Sequence, residues 1–240
     1  LELAVPFGKP ILVEKPVALD HLHLKNLIKY KNIRVAYNRR FYSGAVFAKN
    51  FVEEHPNSLI KVTIPEQRKD PKHNIDFPNR LPLLSYESSV HMFDLMNYIS
   101  EDIKWKDVST IKSVDKYIAT VALGYSANGA TIQLDSYFNA SDNFSINIVS
   151  DNERVEMKPI EVTSFFKGME VNEPTEEMPI RLYTPMLQNK IIDSPKYGHK
   201  PGFLGQAQDF MNFCLGKEDC TGADIKDAFS ALKLAHSLVE

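Results

Sequence analysis

The chain has 240 residues and a mass of 27.3 kDa; it is 43% apolar and 25% charged, with a formal net charge of −3. Such a length and apolar share support one large domain or two small ones with a sizeable core, and the composition excludes a disordered, collagen-like or coiled-coil chain. No basic excess exists to neutralise phosphates, so nucleic acid is not an expected partner.

Leu1 to Phe7 reads as the last turns of a helix, with Gly8 as its C-terminal cap and Pro10 preventing continuation. Ile11-Leu12-Val13 is a wholly apolar run, as expected of a strand buried on both faces. Asp20 is a good N-cap, and Leu24, Leu27 and Ile28 follow at helical spacing. Ile33 to Tyr37 is a second buried-strand candidate. Strand, helix and strand in so short a span make a βαβ unit with parallel strands.

The pattern changes after Arg40. Residues 44–55 read as a helix with Val46, Phe47, Phe51 and Val52 inward. Leu59 to Ile64 reads as a strand. Residues 65–82 are polar and proline-rich, a long loop of the kind that often carries function. A helix is predicted over 86–99. Strands over 118–124 and 130–137 flank Asn128-Gly129, a strong hairpin signal. Residues 144–149 and 154–157 continue the β-rich stretch, whereas 172–200 read as loop. Two amphipathic helices, about 204–215 and 225–239, close the chain. The fold class is therefore a short α/β piece followed by an α+β domain. Its mixed, largely antiparallel sheet carries helices on one face. The uncovered face invites a homodimer or homotetramer.

No apolar run approaches the roughly 20 residues that span a bilayer, so no membrane partner is expected. There is no leader-like start, and Cys214 and Cys220 are too few for a disulfide framework. Two free thiols in a reducing, cytoplasmic compartment are expected. No CxxC motif or His/Cys cluster suggests a metal site.

Ligands of open parallel sheets bind beyond the carboxyl ends of the strands. Glu14-Lys15-Pro16 follows the first strand and Asn38-Arg39-Arg40 the second, so one lysine and two arginines converge on one edge. Lys15 reads either as a solvated loop lysine or as the cation of that crevice. On the helix over 86–99, Met92, Leu95, Met96 and Ile99 form the buried stripe. Glu87, His91 and Asp94 share a neighbouring face, with a carboxylate one turn to either side of the imidazole. That suits general acid–base work, and equally an incidental charged face. Glu87 and His91 alone are too few for a metal. Tyr183, Tyr197 and His199 either line a pocket or pack within their loop. Arg68, Lys69 and Lys72 read as a solvated charge run. Trp105 reads as a strand or core residue.

Three segments in order carry a family resemblance: Gly8 to Pro16 with its Glu-Lys-Pro, Tyr37-Asn38-Arg39-Arg40-Phe41, and Glu87-Ser88-Ser89-Val90-His91-Met92-Phe93-Asp94. They resemble the corresponding segments of the Gfo/Idh/MocA oxidoreductases, relatives of glucose–fructose oxidoreductase and inositol 2-dehydrogenase. The terminal helix pair is similar too. Glu87 stands where many members have Asp, and Ser89 where many have Gly.

The resemblance implies an NAD- or NADP-dependent dehydrogenase acting on a hydroxyl of a sugar, nucleotide-sugar or cyclitol. Catalytic roles would fall to Lys15, His91 and Glu87, and cofactor contacts to Glu14, Lys15, Pro16 and Arg39. Asn38, Arg40, Asp94, Tyr183 and Tyr197 would bind substrate. It also implies that residues 1–40 are the C-terminal remnant of a Rossmann domain and 41–240 the substrate-binding and dimerisation domain. The ten glycines include no Gly-x-Gly-x-x-Gly spacing. The chain by itself is therefore expected to be a truncated form without dinucleotide affinity. The same fold also serves non-catalytic dinucleotide sensors and NAD-dependent redox-neutral glycosidases, which stand as alternatives.

Overall fold

The computed structural model describes residues 1–66, 89–113, 116–217 and 220–238. The first two strands, β1 (Ile11–Val13) and β2 (Ile33–Val35), pair in parallel with Ile11 opposite Ile33 and Val13 opposite Val35. Before them, the expected helix end is a 3-10 turn, Val5–Phe7; Gly8 closes it at φ +65°, donating its N–H to Val5 O. Between the strands the expected helix is also shorter. The Asp20 side chain accepts Leu22 N–H and starts a 3-10 turn, His21–Leu24. Beyond it, three- and four-residue hydrogen bonds alternate (Leu27 N to Leu24 O, Ile28 N to Leu24 O, Tyr30 N to Leu27 O), so no regular α-helix propagates. A further 3-10 turn, Asn38–Phe41, follows β2.

Helix α1 (Ser43–Glu54) begins where the Asp193 carboxylate accepts the N–H groups of Ser43 (2.7 Å) and Gly44 (3.0 Å). An acidic group there satisfies first-turn donors and complements the helix dipole. Its buried face is Gly44, Ala45, Ala48, Phe51 and Val52. Val46, expected inward, is 43% exposed, because the stripe at three- and four-residue spacing runs through Ala45 and Ala48 instead.

Among the described residues an eight-stranded sheet follows: β3 (Leu59–Ile64), β4 (Lys104–Ser113), β5 (Lys116–Tyr125), β6 (Thr131–Tyr137), β7 (Ser145–Ser150), β8 (Glu153–Met157), β9 (Val162–Asn172) and β10 (Leu182–Ile192). Their spatial order is β10-β9-β8-β7-β3-β6-β5-β4, antiparallel except for the β3–β6 pair. The mixed, largely antiparallel sheet is thus present, and β5–β6 is the hairpin expected about Asn128-Gly129.

Two parts of the sheet differ from expectation. Residues 172–200, expected as loop, contain β10, and β9 precedes it without a strand signal in the sequence. The outer half of this hairpin is exposed on both sides, so neither strand shows the burial alternation that marks a half-buried strand. Pro185 lies at a register shift of an edge strand, where a missing N–H is tolerated. Strand β4 was likewise foreseen only at Trp105, which lies in it and donates its indole N–H to Leu234 O at 3.1 Å.

Helix α2 (Val90–Ser100) packs against α1 and against α4 (Ile225–His236). Its Met92, Leu95, Met96 and Ile99 are buried as predicted. Met96 and Ile99 meet Ile60, Ile132 and Ile146 of the sheet, so the helices cover one sheet face. Helix α3 (Phe203–Cys214) rests on the Asn38–Phe41 turn. Helix α4 also packs on β2 and the His21–Leu24 turn, and the hydrophobic core runs unbroken across residue 40. No helix is long and apolar enough to cross a membrane, among the described residues. Most of the expected loop over 65–82, the run Arg68, Lys69 and Lys72, and Glu87 lie outside the described residues.

Candidate active site

The parallel register of β1 and β2 sends residues 14–16 and 36–38 out at one edge, where Ala36 N donates to Val13 O at 2.9 Å. Glu14 is exposed, while Lys15 and Pro16 are half-buried and joined by a cis peptide. Tyr37 is fully buried, with its ring edge-on to His91 at 5.7 Å between centroids. His91 sits in the first turn of α2. That turn is anchored by Ser89, whose hydroxyl donates to the Glu66 carboxylate.

Three expected site residues therefore converge: Lys15, Arg39 and His91. Burial drives the His91 imidazole down to about 3, and the positive charges of Arg39 and Lys15 push the same way. The ring is neutral at physiological pH, the form that accepts a proton. Its Nδ1 is buried without a hydrogen-bond partner, as are Tyr37 Oη and Arg39 Nη1. Burial also lowers Arg39, while Tyr42, Glu161 and Glu66 oppose that shift. The Arg39 guanidinium lies over the Phe144 ring, 5.1 Å from its centroid.

Other expected site residues have different places. Arg40 and Asp94 were expected on substrate; both are buried and bound to each other. Arg40 Nε donates to both Asp94 oxygens (3.1 and 2.9 Å) and Nη2 to Oδ1 (2.6 Å), while Nη1 reaches Asp227 Oδ2 at 3.2 Å. Asp94 has no exposed surface, so the pair belongs to the packing between the Asn38–Phe41 turn, α2 and α4. Asn38 is buried too, and its side-chain amide donates to Pro201 O at 3.0 Å, clipping the start of α3. Tyr183 lies opposite Val171 near the tip of the β9–β10 hairpin, nine residues from its base at Ile192. At about 3.3 Å per residue it stands roughly 30 Å from that base, far from the α1 start that the base adjoins. Tyr197 is 89% exposed in the Lys196–His199 turn.

Tyr37, Tyr42 and Phe144, which the sequence does not mark as site residues, border His91 and Arg39. Tyr37 opens the Tyr37-Asn38-Arg39-Arg40-Phe41 segment, so its place at the strand end is legible in the sequence. Phe144 arrives from a distant segment with no local signal.

A nicotinamide cofactor fits these residues in part. Lys15 at the strand edge, with His91 and Arg39 near it, suits a hydroxylated ligand such as a ribose. No glycine-rich phosphate cradle occurs in the sequence, so its residues fit the nicotinamide end and not the pyrophosphate.

No protein-family model matches the chain, and no curated protein matches it. Solved structures do. A dehydrogenase, MviM, from Clostridium difficile superposes at TM-score 0.70 with 15% identity, over 99% of this chain and 73% of its own. UDP-N-acetylglucosamine 3-dehydrogenase GnnA from Acidithiobacillus ferrooxidans gives 0.67 and 14%, over 100% and 75%. Levoglucosan dehydrogenase, solved with NADH, gives 0.67 and 17%, over 98% and 72%. These neighbours are dehydrogenases of the Gfo/Idh/MocA type, and at such identities the likeness establishes a shared fold.

Proposed function

We propose that the chain carries the reacting face of a nicotinamide-dependent dehydrogenase acting on a secondary hydroxyl of a sugar, nucleotide-sugar or cyclitol. The observation that carries this reading is the convergence of the His91 imidazole with Lys15 and Arg39 at the carboxyl edge of a parallel strand pair. Alcohol oxidation needs a proton acceptor beside the hydroxyl and a positive group for the developing alkoxide. Lys15 holds the hydroxyl oxygen and stabilises its negative charge. His91 takes the hydroxyl proton at Nε2, because Nδ1 is sealed from solvent. A nicotinamide held beside Lys15 would supply the hydride acceptor for the carbon whose hydroxyl proton passes to His91, leaving that carbon as a carbonyl. Arg39 shapes the adjoining wall. Glu14 and Pro16 flank the ribose side. A dinucleotide sensor would need neither Lys15 nor His91, which is why the enzymatic reading is preferred.

In a dinucleotide-binding protein that carries this chain, His91→Ala and Lys15→Ala should each lower kcat by about 100-fold or more while leaving the unfolding midpoint near that of the unsubstituted protein. The assay is nicotinamide absorbance with a panel of sugars, cyclitols and nucleotide-sugars. Undiminished turnover in both variants would sink the proposal.

A further inference from the structure

The sequence shows no metal-ligand cluster, yet folding brings together three side chains from its two ends. Asp20 caps the His21–Leu24 turn, and His236 is the last residue of α4, 215 positions from His21. Their ligand atoms all lie within 4.8 Å of one another. His21 Nδ1 is 3.3 Å from His236 Nδ1 and 3.4 Å from Asp20 Oδ1. Donor atoms at about 2.05 Å from a tetrahedral zinc ion stand about 3.3 Å apart, and an octahedral ion of the same bond length would set them at about 2.9 Å.

The surrounding contacts orient these donors. His236 Nε2 lies 3.2 Å from Leu19 O. A carbonyl only accepts, so Nε2 carries the proton and the Nδ1 lone pair faces His21. A ligating histidine commonly donates its other nitrogen to a backbone carbonyl in this way. The His21 ring packs edge-on against Phe229 at 5.3 Å, which holds it in place. The His21 side chain is 13% exposed and that of Asp20 is 40% exposed, so an ion and a water ligand can reach the cluster.

We propose that Asp20, His21 and His236 form a zinc site of two imidazoles and one carboxylate, completed by water, that fastens the His21–Leu24 turn to helix α4. The competing arrangement is a plain hydrogen bond from His21 Nδ1–H to His236 Nδ1, which needs no metal.

The test titrates chelator-stripped chain with zinc by calorimetry and with cobalt by visible absorption, together with Asp20→Asn and His236→Gln. Expected are one zinc per chain, tetrahedral cobalt bands, and a rise in Tm with zinc. Asp20→Asn should weaken affinity at least tenfold, and His236→Gln should abolish the bands. Circular dichroism of the metal-free forms checks folding. Should His236→Gln unfold, Asp20→Asn decides, since asparagine keeps the N-cap. Absence of cobalt bands, or zinc binding unchanged in whichever variants fold, would overturn the site and leave the hydrogen bond.

Discussion

The Arg40 guanidinium donates to Asp94 and Asp227, and Asp227 Oδ2 also accepts the Asp224 N–H of the α4 capping box. One buried cation thus joins the turn after β2 to two helices. Burial pushes the Asp94 carboxyl up to about 6, against the pull of Arg40, so it is ionised and paired at neutral pH. Two carboxylates hold Arg40 protonated despite its burial. Removing one member of such a pair leaves the other charged and desolvated. Asp94→Asn should therefore cost about 3 kcal/mol, read as a lower urea midpoint. An effect below about 0.5 kcal/mol would mark the pair as dispensable. The neighbouring His91 is handled differently: two cations face it and no carboxylate is among the causes of its shift, so it stays neutral. Adjacent arginines, indistinguishable as sequence letters, therefore divide: Arg40 is locked in a buried ion pair, and Arg39 lies beside His91.

Helix α3 is positioned at the element scale by two contacts with the turn after β2. Asn38 donates to Pro201 O, and Gly202 packs on the Asn38 backbone at φ +79°. A Cβ on Gly202 would come within 2.1 Å of Asn38 O and 3.0 Å of the Tyr42 ring. Gly202→Ala adds left-handed backbone strain to that clash, so at least about 2 kcal/mol of stability should be lost. Faster proteolysis within α3 would accompany the lower Tm; an unchanged Tm would show that the turn can shift freely. Because the same turn carries Arg39, the seating of α3 also bears on the site. The β9–β10 hairpin gives the opposite lesson. Its outer strands are held by backbone pairing while their side chains stay exposed, and side-chain patterning is what a reader of sequence sees.

At the scale of the molecule, helices cover one face of the sheet. The other face presents Leu59, Val121, Leu123, Tyr125, Tyr137 and Val149, each more than a third exposed. Such a row of large apolar groups suits burial against a second copy of the sheet. We propose a homodimer, or a tetramer built from it, through this face. The double substitution Val121→Glu with Leu123→Glu should convert dimer to monomer in sedimentation without altering circular dichroism. A monomeric parent protein would refute the arrangement.

The sequence by itself determined the parallel strand pair, the Asn-Gly hairpin, the buried stripe of α2 and the terminal helices. Each of those rests on local signals: apolar runs, turn residues, helical spacing or a short motif. Tertiary structure alone decided that Arg40 and Asp94 neutralise each other, that Tyr183 stands at a hairpin tip, and that Asp20 and His21 meet His236. Ion pairing, desolvation and the convergence of donors depend on which distant segments share a neighbourhood. Residues 215 positions apart carry no mark of that in their own surroundings.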